Sequence, residues 1–227
     1  MKESAKSNNV SHIIRSFGRI KSRKLSDNKK LLINNALQKY QIKNIDASND
    51  CNNLEIGFGF GDFLYNYAVN NPSIINYGCE PHINGVANLL SMLDKNPLKN
   101  LFITTQDVRI LLDNFSDNFF NTIHILFPDP WPKVKHYKRR LINLDFLDNM
   151  LAKKLKKHGK IIIATDHDSY KTWIMHNILK STKFIWICES KTSWENFPNA
   201  WHQTKYQKKA LNEGRKPVII EITKIHD

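Results

Sequence analysis

Short apolar runs alternate with helix-like segments along most of the chain. Five of the runs have the length of buried strands, and they occupy residues 54–58, 75–79, 101–105, 122–127 and 160–165. Each run is followed by a turn rich in polar residues or glycine before the next helix-like segment begins. This alternation predicts repeated strand–helix–strand units, which assemble into a mostly parallel sheet.

The helix-like segments carry apolar residues at three- and four-residue spacing, which is typical of one face of an α-helix. One such segment precedes the first strand, and the next two are stopped by Pro72 and Pro97, since proline cannot continue a helix. A fourth, at residues 141–155, is predicted to be closed by Gly159. Asp168 is predicted to cap a fifth.

The pattern changes after the fifth helix. Residues 184–188 and 218–223 form two more predicted strands, separated by an aromatic-rich insert and a short basic helix. Five strand–helix steps and a terminal strand pair predict an α/β fold. Its doubly wound, seven-stranded sheet would be mostly parallel, with right-handed crossovers and a terminal antiparallel pair. Ligands of such sheets bind at the carboxyl ends of the strands, so chemistry is expected in the loops there.

The composition fits one globular domain with a basic extension. The chain has 227 residues with 41% hydrophobic content, and its net charge of +13 indicates a polyanionic partner such as nucleic acid or an anionic membrane. Residues 1–28 hold seven Lys and Arg against two acids and have no apolar face. We expect them to form a basic arm that is mobile until it meets its partner, ahead of a single domain at 29–227. An organellar transit peptide is the alternative.

Other classes of protein find little support. The three cysteines are far apart, no CxxC pair occurs, and the histidines show no ligand-like pairing on a shared element. No apolar run approaches the roughly 20 residues that cross a bilayer, and no secretory leader opens the chain. We therefore expect a cytoplasmic protein with neither a metal nor a membrane anchor.

A glycine-rich turn follows the first strand. Gly57, Gly59 and Gly61 lie between this strand and the next helix, where a backbone without side chains can approach a ligand closely. Their GxGxG spacing differs from the GxGxxG of dinucleotide-binding turns. Glu55 lies inside the buried strand just before the turn, and a buried carboxylate needs a polar partner. We expect that partner to be the turn or a cofactor.

Acidic residues end four consecutive strands, at Glu80, Asp107, Asp129 and Asp166. Each alone is more often a helix cap or a turn former. Four together, beside a glycine-rich turn, favour a cofactor with a ribose, an amine-bearing base and a cationic group. Glu80 follows Gly61 by 19 residues, and an acid so placed can accept both hydroxyls of a ribose. S-adenosylmethionine has all these groups. The pyrophosphate of a dinucleotide, in contrast, would be repelled by so many carboxylates.

The segment FPDPWPKVKHYKRRL, residues 127–141, joins an acidic loop to a basic stretch. Its three prolines cannot continue the hydrogen-bond ladder of the fourth strand, so the chain leaves the sheet as a stiff loop. Such a loop holds Asp129 and Trp131 with little conformational freedom, as positioning a flat, polar substrate requires. The cations that follow predict contact with phosphate, with a solvated basic helix start as the alternative; they are Lys133, Lys135, Lys138, Arg139 and Arg140.

Together these motifs resemble the bacterial type of the tRNA (guanine-N7)-methyltransferase family, which are class I S-adenosylmethionine-dependent enzymes with a Rossmann-like fold. The similarity covers nearly the whole chain, in the motifs RSFGRIKSRKLS, LEIGFGFG, CEPH, QDVR, FPDPWPKVKHYKRRL, ATD and TKYQKKALNEG. The resemblance implies transfer of a methyl group from S-adenosylmethionine to N7 of guanosine 46 in the variable loop of tRNA.

The resemblance also implies roles for single residues. By the resemblance, contacts with the cofactor would fall on Glu55, Glu80, Asp107 and Asp129. The glycine-rich turn adds Gly57, Gly59 and Gly61 as cofactor contacts, and we expect Asp129 to be the catalytic residue as well. Contacts with the guanosine would fall on Lys133, Asp166, Thr204 and Gln207. The family usually has glutamate at the last of these positions, so a role based on charge is in doubt at Gln207.

The expected chemistry depends on placement more than on a strong base. Guanine N7 has an exposed lone pair and no proton, so it needs in-line placement against the sulfonium methyl group. The base gains positive charge as the sulfonium loses it, and a carboxylate such as Asp129 can stabilise that movement of charge. Two alternatives stay open. One is a class I methyltransferase acting on another nucleic acid or a small molecule, and the other is a non-catalytic RNA-binding module.

Overall fold

The computed structural model describes residues 25–43, 45, 49–190 and 192–226. Most of the predicted basic arm, at residues 1–24, lies outside these ranges, and the arm stays a prediction. Helix α1 (Asp27–Tyr40) begins two residues before the predicted domain boundary at residue 29. Its apolar side chains pack against buried leucines further along the chain, among them Leu89 and Leu93.

Seven strands form a single sheet, at β1 (Asn52–Ile56), β2 (Ile75–Cys79), β3 (Leu101–Thr104), β4 (Phe120–Leu126), β5 (Leu155–Thr165), β6 (Phe184–Ile187) and β7 (Val218–Lys224). Their spatial order is β3-β2-β1-β4-β5-β7-β6. The first five strands are parallel, and β7 runs antiparallel to both of its neighbours. The predicted fold class is confirmed.

Helices cover both faces of the sheet, at α2 (Asp62–Asn70), α3 (Ile83–Lys95), α4 (Val108–Leu111), α5 (Ala152–Lys154), α6 (Asp168–Lys180) and α7 (Lys205–Asn212). One apolar core contains residues of α1, α2 and α3, and the other contains residues of α4, α5 and α6. Burial on both faces explains why the parallel strands are continuous apolar runs in the sequence. No helix within the described ranges is long and apolar enough to cross a membrane.

Two predicted helix boundaries are wrong. The helix predicted to close at Gly159 ends at Lys154, where a π-helical turn (Phe146–Leu151) has passed into α5, and Leu155 already begins β5. Gly159 lies in the first part of β5, whose pairing with β4 is irregular there. The cap of α6 is His167, and Asp168 is its first helical residue. An acid suits that position as well, because the amino end of a helix is partly positive.

The topology brings the loops of interest to one edge of the sheet. The order of the strands reverses between β1 and β4, which are neighbours although β2 and β3 come between them in the chain. In doubly wound folds the binding crevice opens at such a switch point, beyond the carboxyl ends of the strands. The glycine-rich turn follows β1 and the proline-containing loop follows β4, so both flank this crevice.

Candidate active site

The glycine-rich turn connects β1 to α2 and is held against β2. The Gly57 N–H donates a hydrogen bond to the Cys79 carbonyl at 2.8 Å. Gly61 caps α2 with a φ of 81°, and a Cβ atom there would come within 2.7 Å of the Leu89 side chain. Both the backbone conformation and the close approach to α3 therefore require glycine at this position.

Glu80 follows β2 and fastens the turn from the other side. Its two carboxylate oxygens accept the N–H groups of Gly59 at 2.8 Å and His82 at 2.7 Å. Burial raises the pKa of Glu80; these two hydrogen bonds oppose the shift, and the negative charge of Asp129 adds to it. Each carboxylate oxygen has a second lone pair, so Glu80 can hold the turn and still accept the hydroxyls of a ribose.

Glu55 presents a buried carboxyl group, one oxygen of which is unpaired in the part of the chain that the structure describes. The residue is 2% exposed, and its Oε2 has no hydrogen-bond partner among the described residues. Burial raises its pKa to about 8, and the negative charges of Glu80 and Asp62 act in the same direction. Glu55 lines a small cleft together with Gly57, Gly59 and Thr204. The glycine-rich turn donates no hydrogen bond to Oε2, and the cofactor as its partner stays a prediction.

Asp107 is already paired within the chain. It caps α4 by accepting the Arg109 N–H at 3.0 Å, and the Arg109 guanidinium binds both of its carboxylate oxygens at 2.8 Å. The helix-cap interpretation is therefore correct for this acid. A cofactor contact at Asp107 stays a prediction, and it would have to share the carboxylate with Arg109.

The proline-containing loop after β4 has an uncommon backbone conformation. Phe127 and Trp131 have φ angles of 53° and 43°, in the left-handed region that bulky residues rarely adopt. The Phe127 N–H donates to the Ala164 carbonyl at 2.8 Å, which fixes the start of the loop against the end of β5. Strained backbone of this kind persists only where the surrounding contacts hold it.

Arg140 supplies much of that support. It is 2% exposed, and its guanidinium donates to the Pro130 carbonyl at 2.8 Å and to the carbonyl and hydroxyl of Ser169 at 3.1 and 2.9 Å. It also lies 3.6 Å above the centre of the Tyr137 ring. The prediction that Arg140 contacts phosphate is therefore wrong, because the side chain is buried and joins the loop to α6.

Several charged residues on and beside this loop face solvent. Asp129 is exposed, yet it lies close enough to Glu80 for its charge to act on that carboxyl group. Lys133 and the next two lysines, Lys135 and Lys138, are exposed on or beside a 3₁₀-helical turn (Val134–Arg139). Trp131 is half-buried with the Arg139 guanidinium 4.9 Å from its ring centre. Stacking of this ring on a purine stays a prediction.

The amino end of α7 carries two predicted guanosine contacts. Thr204 is the N-cap, and its Oγ1 accepts the Gln207 N–H at 3.0 Å. Gln207 is buried, and its Oε1 accepts the indole N–H of Trp201 at 2.8 Å. The Trp201 ring packs on Phe63 with 4.7 Å between the ring centres. In this chain Gln207 thus fixes the Trp201 ring against Phe63, which lines the cleft. This interaction needs an acceptor oxygen and no charge.

Asp166 follows β5 and is paired with Arg215, whose Nε lies 2.7 Å from its Oδ2. The structure therefore gathers Glu55, the glycine-rich turn and Thr204 around one cleft, with Glu80 fastened to the turn. The lining of that cleft does not include the other predicted site residues, which are Gly61, Glu80, Asp107, Asp129, Lys133, Asp166 and Gln207. The binding roles of all these residues stay predictions.

Some residues that shape the site escape sequence reasoning. Gly85 lies in the first turn of α3, and a Cβ atom there would collide with the carbonyl of Gly59. A glycine inside a helix is a usable signal, because it costs about 1 kcal/mol relative to alanine. Arg215 gives no such local signal, since its partner Asp166 is far away in the sequence. Among the described residues no cluster of His, Cys, Asp or Glu could hold a metal ion.

Comparisons with known proteins identify the family. The family model "Putative methyltransferase" matches residues 49–219. The tRNA (guanine-N(7)-)-methyltransferase of Wolbachia pipientis wMel is 39% identical over 202 residues, which cover 86% of this chain and 88% of that protein. The enzyme of the same name from Hyphomonas neptunium is 34% identical over 90% of this chain and 97% of that protein.

Solved structures support the same fold. The 16S rRNA methyltransferase KamB superposes with a TM-score of 0.53 at 14% identity, over 90% of this chain and 96% of that one. The identity is too low to carry more than the fold, so the family rests on the sequence relatives. Because their similarity extends over most of both chains, this chain belongs to the tRNA (guanine-N(7)-)-methyltransferase family.

Proposed function

We propose that the protein transfers a methyl group from S-adenosylmethionine to N7 of guanosine 46 in the variable loop of tRNA. Membership of the family supports the reaction. Within the chain, the observation that carries it is the buried, unpaired carboxyl oxygen of Glu55 in the cleft beside the glycine-rich turn. An unpaired buried acceptor costs roughly 1–3 kcal/mol, and a ligand with a cationic end removes that cost.

The residues of the cleft fit S-adenosylmethionine by their chemistry. This cofactor supplies an electrophilic methyl group on a sulfonium centre, together with an ammonium group, a ribose and an adenine. Glu55 would face the cationic end, Glu80 would accept the ribose hydroxyls, and the glycine-rich turn would admit close contact with the backbone. Asp107 would accept the adenine amine on a carboxylate that it shares with Arg109.

Asp129 is the residue that we assign to the transfer step. Guanine becomes positively charged when N7 is methylated, and no proton needs to leave N7 first. Asp129 is exposed on a loop that contains two strained residues and is held by the buried Arg140 side chain. Its carboxylate can therefore stabilise that charge with little rearrangement. We assign Asp166 and Thr204 to the polar groups of the guanosine.

The basic surface suits tRNA as the partner. Lys133, Lys135 and Lys138 are exposed next to the Asp129 loop, where they can meet the phosphates that flank the target base. The formal net charge of +13 supplies long-range attraction for the same polyanion. We infer a cytoplasmic location from such a substrate.

Methyl mapping on tRNA tests this function. The enzyme would be incubated with labelled S-adenosylmethionine and tRNA transcripts that carry no modified nucleosides, and the methylated nucleoside and its position would be identified. We expect 7-methylguanosine at position 46. A matched transcript with 7-deazaguanosine at that position lacks the acceptor nitrogen and should receive no methyl group. Transfer to another atom, another position or another nucleic acid would overturn the proposal, and binding of tRNA without any transfer would favour a non-catalytic module.

A further inference from the structure

Arg215 is joined to the predicted guanosine-binding acid by an ion pair. Its Nε lies 2.7 Å from Oδ2 of Asp166, and its Nη1 lies 2.5 Å from Oε2 of Glu213. The Oδ1 atom of Asp166 has no hydrogen-bond partner among the described residues. The side chains of Asp166 and Arg215 are 22% and 43% exposed, so the pair is accessible from solvent.

The backbone around Arg215 fixes its position from both sides. Gly214, with a φ of 71°, ends α7 in the left-handed conformation, and the Arg215 N–H donates to the Ala210 carbonyl at 2.9 Å. This is the hydrogen-bond pattern of a glycine-terminated helix. Three residues later Val218 pairs with Thr165 in the sheet. Thr165 immediately precedes Asp166, and Arg215 lies three residues before Val218. The pairing of β7 with β5 therefore brings Arg215 close to Asp166.

The segment from Thr204 to Val218 therefore contributes a residue both to the cleft and to the ion pair with Asp166. Its amino end places Thr204 in the cleft with Glu55, and its carboxyl end places Arg215 on Asp166. Asp166 itself lies in the short connection between β5 and α6, where no other described side chain restrains its carboxylate.

We propose that Arg215 is a positioning residue for base recognition: it holds one oxygen of Asp166 so that the other accepts hydrogen bonds from the N1–H and 2-amino edge of the target guanine. This inference rests on the proposed function. A carboxylate held in one orientation loses less conformational freedom when the base binds. Adenine offers no N–H donors at the equivalent positions, so a fixed acceptor also helps to select guanine.

The competing role for an exposed arginine is contact with a tRNA phosphate, and a neighbouring residue provides the control. Lys216 is the next residue, is exposed and carries the same charge, so Lys216→Gln removes an equal charge without touching Asp166. The substrates would be two tRNA transcripts with guanosine or inosine at position 46. Inosine keeps N7 and lacks the 2-amino group, so its rate of methylation reports recognition of that edge.

We expect Arg215→Gln to lower the single-turnover rate at saturating guanosine-46 tRNA by about tenfold, with a much smaller effect on the inosine-46 transcript. The preference of the parent enzyme for guanosine over inosine would thus shrink. Lys216→Gln should weaken tRNA binding modestly and leave that preference intact. Arg215→Lys, which keeps a cationic donor, should retain an intermediate preference and provides a second variant if Arg215→Gln folds poorly.

A double-mutant cycle completes the test. In an Asp166→Asn background, Arg215→Gln should change the guanosine preference by less than about twofold, because the group that it positions is gone. The inference is overturned if Arg215→Gln behaves like Lys216→Gln, if its effect is undiminished in the Asp166→Asn background, or if the parent enzyme methylates guanosine and inosine equally. If the parent does not methylate N7 of guanosine 46 at all, the proposed function itself fails, which is a separate result.

Discussion

Burial of the Glu55 carboxyl group lowers the stability of the folded chain when the group is ionised, although the ionised form would suit a cationic ligand. Its pKa in the folded chain is about 8, against an ordinary value of 4.5. Because the folded value is the higher one, the contribution of this group to stability is complete below pH 4.5 and is lost as the pH rises through 8. A ligand that supplies positive charge to the cleft would remove this penalty. Without a ligand, ionisation of Glu55 should therefore lower the free energy of unfolding at neutral and alkaline pH relative to acidic pH.

The substitution Glu55→Gln should remove that pH dependence. In urea unfolding without cofactor, we expect the stability of the variant relative to the parent to increase between about pH 5 and about pH 9. The same variant should bind S-adenosylmethionine more weakly by calorimetry, since the buried charge is gone. Glu189→Gln, at an exposed acid, is the control and should follow the parent at each pH. Parallel curves for Glu55→Gln and the parent would contradict the assignment.

Asp129 and Lys133 lie four residues apart, on the loop and at its exit, and should report on different ligands. Asp129→Asn keeps the shape and deletes the charge, so single-turnover methyl transfer should slow by about ten- to a hundredfold with a smaller loss of tRNA affinity. Lys133→Ala removes an exposed cation, so tRNA affinity should fall several-fold while cofactor affinity stays nearly constant. Transfer at the parental rate by Asp129→Asn would show that the loop is only structural.

At the scale of elements, the proline-containing loop depends on a residue outside it. The prolines predict that the chain leaves the sheet, but the strained conformations at Phe127 and Trp131 are held by contacts with Ala164 and Arg140. Arg140→Lys keeps the charge and cannot reproduce the forked hydrogen bonds to Pro130 and Ser169. We expect it to lower the free energy of unfolding by about 2–4 kcal/mol and to slow methyl transfer.

The neighbouring arginine supplies the comparison for that experiment. Arg139→Lys changes the same functional group on a side chain that lies over the Trp131 ring, and it should destabilise the protein much less in the same urea titration. Equal losses of stability in Arg140→Lys and Arg139→Lys would contradict the supporting role of Arg140.

The sequence predicts elements well where local pattern decides them. The bounds of β2, Ile75–Cys79, are those that its apolar run predicts, and the glycine-rich turn lies where its spacing places it. Prediction fails where a distant partner decides the structure. Leu155 continues the leucine periodicity of a helix, yet pairing with β4 draws it into β5. Arg140 and Arg215 look like surface cations until the fold brings Pro130 and Asp166 beside them.

At the scale of the whole molecule, positive charge is distributed unevenly along the chain. Residues 1–24 contain seven Lys and Arg and one acid, Glu3, so their formal charge is 7 − 1 = +6 of the total of +13. This stretch lies just before α1, whose apolar residues pack in the same core as α3. A deletion that ends at residue 24 therefore leaves α1 intact, whereas one that ends at residue 28 removes its first two residues.

Deletion of residues 1–24 should weaken tRNA binding far more than cofactor binding. Each phosphate contact that is lost reduces the number of counterions released, so the slope of log affinity against log salt should become shallower by about one for each contact. Calorimetry with S-adenosylmethionine should give the parental affinity, because Glu55, Glu80 and the glycine-rich turn all lie beyond the deletion. A variant with those seven cations changed to glutamine in the full-length chain separates charge from length, and it should behave like the deletion. If the salt slopes of parent and deletion are equal, the arm does not contact phosphate, and the charge of the folded domain alone attracts the tRNA.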